Sequence, residues 1–576
     1  VQEPDNQSSY IQISRNLYDV LLYLRLHDRP RILWADAACI NQQDVAEITE
    51  QVRLMRQIYQ SASEVLIWLG DATPESDEAL RLVPSVAQIA REDAAVGITR
   101  NIVIPAQRPD CLPWASDPIW ERFAEIMNRK WFQRAWVVQE LAVATKATIL
   151  CGNTRVSLDD MSKTIEFLIK SNTLLVQARF LELNKFDCTL DARKAFVSDK
   201  DTPPLALLLR QRSKSSSQKI DKLFAFHGLF KPGSVGALAT MPDYSLTCLE
   251  AYKRFASEIL TSSRNLDILS VPRAAETSEI GDLPSWVPDW SCSDLCTPLI
   301  QTQISSEASI YPDHFASGHS LYDPVILESG SKLVLRGHII DAIHVISEPL
   351  ESSEAEKEGD ITKAILHQRG LTKFDLVAVT SVPGVPLLSY PLTDEHPVDV
   401  YWQTLFGGCT DAYKPMMRAA FFRNWNIRFL FIILQLLRLD QKWFISLCVG
   451  FLSLWKPLYW LWYVIRPTDW EKSLSYGNVS YVLKMSMMRM GYRRVFKTQQ
   501  GLMGLGPRFA QIGDFVVICQ GGKVPLVIRP KFNYEQGQSE TGDWEFIGES
   551  YVHGAMNGKL WGVLEGKREA REFVLS

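Results

Sequence analysis

The sequence predicts an α/β domain at the N-terminus, a parallel sheet with flanking helices, followed by a helical region and then a β-rich C-terminal unit of α+β type. Three observations carry this. Helix, short apolar run, polar loop, helix and second apolar run alternate over residues 14–70, the grammar of a parallel α/β sheet. Helical periods dominate from residue 159 to about 270. From residue 500 onward, strand signals alternate with glycine turns. A chain of 576 residues exceeds what one core can fill, since single cores stop growing at roughly 250–300 residues.

Each element has a local reason. Residues 14–27 place Leu17, Val20, Leu21 and Leu24 at helical spacing, so a helix is expected to turn that face inward. RILWA (31–35) is expected to be a short buried strand that ends in the polar run Asp36–Asp44. Residues 45–62 regain helical period with Val52, Met55, Ile58 and Tyr59 on one side, and EVLIWLG (64–70) is a second buried strand stopped by Gly70. Helices follow over 76–94 and 119–129, with a proline-rich irregular stretch between them. WFQRAWVVQELAVA (131–144) then leads to the strand-like TILCG (148–152). The expected division is 1–158 for the α/β domain, 159–300 helical, 301–428 mixed, 429–466 apolar and aromatic, and 467–576 β-rich.

Composition narrows the function. A hydrophobic content of 46% and a charged content of 22% belong to a globular chain. A formal net charge of -5 and the lack of a basic block speak against nucleic acid as a partner. The 10 cysteines are scattered with no CxxC, which fits reduced thiols and an intracellular, cytoplasmic protein better than a secreted disulfide framework. The opening stretch shows no signal-peptide core, and because the chain starts at Val1 rather than Met, a natural N-terminal segment is expected to precede it. There is no P-loop, no GxGxxG, no HExxH and no GxSxG, so no metal or bound cofactor is expected.

Residues 429–465 stand apart. WFISLCVGFLSLWKPLYWLWYVI has the length and interfacial tryptophans of a bilayer span, about 20 residues. Lys456 and Pro457 interrupt it, and Arg438, Asp440 and Lys442 crowd its start. Two readings stay open, a membrane hairpin and a buried aromatic helical pair, with the second preferred.

A set of phrases in fixed order then points to a family. NLYD (16–19), RILWADAACINQ (31–42), QVRLMRQIYQSASEVLIWLG (51–70) and WFQRAWVVQELAVA (131–144) with Cys151-Gly152 together resemble the heterokaryon incompatibility (HET) domain of filamentous fungi. DKLFAFHGL (221–229), PDYS (242–245), LPSWVPDWS (283–291), YWQTL (401–405) and GLMGLGP through YVHGAMNG (501–558) resemble the extension that often follows it. The family's opening Ser-Tyr-x-Trp-Gly strand has no match, so a first sheet strand is expected to be missing. The resemblance implies non-self recognition that ends in programmed cell death, through protein partners or self-association. It also implies a TIR-like domain, and some TIR domains cleave NAD as a substrate while others only assemble.

Ligands of open parallel sheets bind beyond the carboxyl ends of strands. Asp36, Cys39, Asn41 and Gln42 follow RILWA, and Gly70 and Asp71 follow the second strand, so these six are pocket candidates. Glu140, an acid in an apolar, Trp-flanked stretch, is the catalytic candidate. Cleaving a nicotinamide–ribose bond passes through an oxocarbenium-like state that a carboxylate stabilises. Plain alternatives stand beside each: Asp36 as a cap, Cys39 as a small buried residue, Asn41 and Gln42 as partners of loop backbone, and Glu140 as an ion-pair partner of Arg134 or Arg129.

Overall fold

In the computed structural model, the apolar run Val65–Trp68 forms β1 and pairs in parallel with β2, Ala147–Cys151. The structure describes residues 12–98, 109, 111–114, 117–170, 174–273, 278, 280–292, 297–300, 311–349, 380–382, 385–386, 389–411, 414, 489–531 and 543–576, of which 174–182, 184–185, 380–382, 385–386 and 398 by backbone alone. β3, Thr154–Ser157, folds back antiparallel onto β2, so the N-terminal sheet is mixed and runs β1-β2-β3. A parallel pair needs a crossover. Here it is long: helix Pro74–Ala95, helix Ile119–Met127, a short turn and helix Trp136–Val143 all lie between β1 and β2. Helix Pro74–Ala95 starts on a capping box between Thr73 and Ser76, with Pro74 at its first position.

One expected strand does not form. Residues 31–35 form no regular element and pair with no described strand, and Ile32 is 99% exposed. A strand needs a neighbour to take up its backbone groups. β1 is the terminal strand of its sheet, so its outer edge meets no described strand either. Helix Arg15–Leu24 likewise buries only Leu24 and leaves Tyr18, Leu21 and Leu22 exposed.

The first core reaches past residue 158. Helix Leu158–Lys170 buries Met161, Ile165 and Leu168 in one cluster with Leu80, Val83 and Ile149, and Phe186 and Leu190 of helix Leu174–Val197 join it. The next region docks on the same domain. Arg56 donates to Phe230 O at 2.7 Å, Arg53 to Pro242 O at 2.7 Å, and the Tyr244 backbone N–H to Thr49 Oγ1 at 3.2 Å. The phrases at 221–229 and 242–245 thus pack against helix Val45–Ser61. Trp286 and Trp290 of the LPSWVPDWS segment are fully buried, as expected of an anchored stretch.

The C-terminal unit closes on itself. Short β4, Val325–Leu327, pairs with the head of β5, Lys332–Ile346, and the chain passes through β6, Thr380–Val382, and β7, Val385–Pro386. Then come β8, Arg493–Thr498; β9, Met503–Pro507; β10, Phe515–Cys519; β11, Leu526–Pro530; β12, Asp543–Glu549; β13, Tyr551–Val552; and β14, Arg571–Leu575. β5 pairs with β10, β10 with β11, β11 with β12, β12 with β14, and β14 returns to β5. Five strands therefore form a closed barrel, the arrangement that removes sheet edges. The second half of β5 leaves the barrel to pair with β8, which leads to β9 and β13. β5 crosses β10 closely at Gly337, where an added Cβ would lie 2.3 Å from Ile518 O. Because β5 comes from residues 301–428, that segment and 467–576 share one sheet.

Residues 429–465 lie outside the described residues. Among the described residues, no helix is long and apolar enough to cross a membrane.

Candidate functional site

Helix Trp136–Val143 is the most enclosed element of the N-terminal domain: every residue from Val137 to Val143 is buried. A helix apolar all round belongs inside a core, so an acid in it is costly. Glu140 is that acid, only 9% exposed. No described residue gives its carboxylate a hydrogen bond or ion pair, and burial pushes its pKa up to about 7. The Arg134 charge opposes that rise, and the Asp36 charge adds to it. Tyr59, across on helix Val45–Ser61, has its phenol raised by burial first, then by Glu140 and Asp36. Trp34 meets the Tyr59 ring edge-on at 5.6 Å. Glu140, Asp36, Tyr59, Arg134 and Trp34 thus form one group, with a carboxyl poised near neutral pH as acid–base chemistry requires.

The helix is held from three sides. Arg193 donates to Leu141 O and Ala144 O, both at 2.6 Å, and caps the last turn where the dipole is negative. Gln139 Oε1 accepts the Gly228 N–H at 3.1 Å. Trp136 Nε1 donates to Asp221 Oδ2 at 3.2 Å, and Tyr244 donates to Asp221 Oδ1 at 2.6 Å.

The other sequence candidates fall into separate places. Asp36 joins the Glu140 group electrostatically, while its carboxylate accepts the N–H of the next residue, Ala37, at 2.8 Å. Ala35 is the N-cap of the short helix Asp36–Cys39 and no side chain caps it, so the reading of Asp36 as a cap is corrected. Cys39 carries a free, exposed thiol, so its reading as a small buried residue is corrected. Asn41 Oδ1 accepts from Gln43 N at 3.1 Å, and Gln42 Nε2 donates to Asp36 O at 3.2 Å, so both side chains stitch the loop. Gly70 and Asp71 belong to a second cluster, in which Arg129 Nη1 donates to Leu69 O at 2.7 Å and to Cys151 Sγ at 3.2 Å. Gly70 needs its glycine there, with φ at +97°. Arg129 is thereby engaged away from Glu140. A narrow apolar crevice lined by Val83, Val86, Trp120 and Phe123, too tight to admit a water molecule, includes none of the candidates. Among the described residues, no group of His, Cys, Asp and Glu is arranged to hold a metal ion.

Tyr59, Gln139 and Asp221 were not singled out as site residues. Tyr59 lies on the same helix face as Val52 and Met55, a periodic signal that could have brought it to the sheet side. Asp221 and Gln139 meet only through tertiary docking.

The histidine of YVHGAMNG sits in the C-terminal unit. Burial lowers the His553 pKa against the pull of Glu395. With the ring neutral, Nε2–H donates to Glu395 Oε2 at 2.5 Å and Nδ1 accepts from the Tyr551 hydroxyl at 3.0 Å. Tyr390 donates to His553 O at 3.0 Å and accepts from Met503 N at 3.1 Å, which closes a structural network. His227 is half-buried, and desolvation brings its pKa down to about 4.

Two family models match this chain. Residues 2–140 match the model described as heterokaryon incompatibility protein (HET), and residues 468–575 match the Het-6 beta-barrel domain. The first match ends on Glu140, and the second covers four of the five barrel strands and omits β5. The chain is also similar to heterokaryon incompatibility protein 6, OR allele, of Neurospora crassa, with 25% identity over 96% of this chain and 85% of the relative. No solved structure matches the chain.

Proposed function

From its membership of the fungal heterokaryon incompatibility family, to which both of its matched domains belong, we propose that this chain acts in non-self recognition, as an intracellular effector that drives death of incompatible fused cells. The carrying observation is colinearity: a HET match at one end, a Het-6 barrel match at the other, and similarity to an incompatibility protein along 96% of the chain. The test is genetic. Introducing the full chain into strains that differ at incompatibility loci should cut the yield of viable transformants in some strains and spare others. Equal yields in every strain would count against the role.

Within that role, we propose that the N-terminal domain is a TIR-like module in which Glu140 cleaves NAD. Its support is the Glu140 group: a nearly buried carboxyl with a pKa of about 7, no hydrogen-bond partner among the described residues, and an arginine and a tyrosine beside it. Ionised, the carboxylate would stabilise the developing positive charge on the ribose. Purified chain should consume NAD, and Glu140→Ala should abolish this while leaving the far-UV spectrum unchanged.

A second reading is favoured by a different observation. Tyr18, Leu21, Leu22, Ile32 and Leu33 are all exposed, and apolar side chains grouped this way mark a protein-contact surface. On this reading the domain works as a non-catalytic adaptor by self-assembly or partner docking. Background NAD turnover in both wild type and variant, with killing intact, would select it.

A further inference from the structure

Residues 213–219, SKSSSQK, cross the chain just ahead of the Glu140 helix. Ser215 N–H donates to Gln133 O at 2.6 Å, and Ala135 N–H donates to Ser215 O at 2.8 Å. Arg134 and Ser215 are therefore partners in an isolated parallel bridge. Residues paired directly across a ladder send their side chains to the same face. The loop is pinned in this register by Lys214, which is buried and donates its ammonium to Phe132 O at 2.8 Å.

What lies on that face is unusual. Ser215 is exposed, and its hydroxyl makes one hydrogen bond, to Gln133 O at 3.1 Å. Arg134 is exposed too, and its guanidinium forms no hydrogen bond or ion pair with any described residue. Five N–H donors in a planar fork are left for an incoming anion. The acids that feel its charge, Glu140 and Asp221, are buried and out of contact with it. Ser213 and Ser217 of the same loop are exposed, but neither faces an arginine across the bridge.

The geometry points to Ser215 as a phosphorylation site whose phosphoryl group is received by Arg134. A serine/threonine kinase acting with ATP would supply it. The bond from Ser215 Oγ to the γ-phosphorus forms as that phosphorus parts from ADP, and the hydroxyl proton is released. The product carries a charge of roughly -1.5 to -2 near pH 7 and three acceptor oxygens. Those oxygens match the guanidinium in a two-pronged pair. Arg134 then spends its charge on the phosphate, and Glu140 and Asp221 lose the cation that favours their ionised forms. Modification would thus hold Glu140 protonated near neutral pH, a means of silencing the N-terminal domain. The Ser215–Arg134 pairing itself does not depend on Glu140 being catalytic.

The test uses full-length chain with phosphoserine encoded at position 215, in wild-type and Arg134→Gln backgrounds, each titrated by ³¹P NMR. A free phosphoserine loses its second proton near pH 6. With Arg134 present the midpoint should fall by about half a unit or more relative to Arg134→Gln, since an adjacent cation favours the dianion. Equal midpoints would overturn the pairing. Phosphopeptide mapping of mycelium before and after fusion with an incompatible strain supplies the second arm. Phosphate on Ser215 in either sample supports the assignment, and phosphate confined to other serines, or absent from the loop in both, refutes it.

Discussion

The two ends of the molecule treat buried charge in opposite ways. In the barrel unit, Arg493 and Glu549 are both fully buried and paired at 2.5 Å, with Leu299 N–H donating to the same carboxylate at 2.8 Å. Arg489, also buried, lies over the Tyr311 ring at 3.7 Å and donates to Leu299 O at 2.6 Å. Arg529 grips Asp514 through two bonds, at 2.7 and 3.0 Å. In the N-terminal domain, Glu140 is nearly as deep yet receives no hydrogen bond among the described residues, while Tyr18, Leu21, Leu22, Ile32 and Leu33 are exposed. A closed sheet in which Glu549 and Asp514 are each paired with an arginine is built to hold shape. A domain with an unmatched acid inside and uncovered apolar surface outside retains free energy for a ligand or a partner to recover.

The contrast is broken most severely in the barrel. Arg493→Met leaves Glu549 buried without its cation, and removing one partner of a buried pair costs about 3–5 kcal/mol. Chemical denaturation of the full chain should show the C-terminal transition at markedly lower denaturant, with the N-terminal one unmoved. Restoring most of the loss in the double variant Arg493→Met, Glu549→Leu would confirm that the damage is the orphaned carboxylate.

The next effect is the reverse in sign. Glu140 holds its proton up to about pH 7 in the folded chain, against about 4.3 when unfolded. Between those values the folded state binds more protons than the unfolded one, so raising the pH weakens folding, and the loss levels off above about pH 7. Glu140→Gln should remove this slope. It should make the N-terminal domain more stable than wild type at pH 8 by up to about 3.7 kcal/mol, while the two nearly converge at pH 4. A parallel pair of stability–pH curves would show that the carboxyl is solvated or paired.

A smaller effect tests whether the following region belongs to the N-terminal domain. Asp221 accepts from both Trp136 and Tyr244. Asp221→Ala leaves two half-buried donors without their acceptor, each such loss costing at most about 1–3 kcal/mol. Thermal unfolding of the N-terminal unit should shift down, and amide exchange in residues 136–143 should quicken. Unchanged exchange there would mean that the docked segment is a passenger.

How much of this was legible beforehand follows from the range of each interaction. β1, β2 and the helices from Val45 to Ala95 came from helical period and apolar runs, which are local, and they form within two residues of the expected bounds. The barrel signal was also local, strands punctuated by glycines. Its closure was not, because β5 returns from more than 150 residues upstream of β10. Glu140 stood out because an acid in WVVQELAV has no local excuse. Its neighbour Tyr59 was visible only as part of a helix face, and Arg134, expected as an ion-pair partner, acts on Glu140 only through its charge; how both are placed depends on tertiary packing. The strand expected at 31–35 failed for the same reason: an apolar run becomes a strand only when a ladder partner is present.

The smallest effect on folding concerns that same run. Ile32 is 99% exposed, so Ile32→Lys removes almost no buried area and should change stability by no more than about 0.5 kcal/mol. Association is another matter. If the open edge of β1 and residues 31–35 are where chains meet, a lysine there adds charge to the contact, as natural sheets do to block edge-to-edge pairing. Sedimentation over a hundredfold range of concentration should then show wild type forming larger species and Ile32→Lys staying monomeric, at equal thermal stability. Loss of assembly alongside loss of stability would trace the effect to folding. Identical sedimentation of the two chains would clear this edge of any part in assembly, and the contrast between the two ends of the molecule would rest on Glu140 alone.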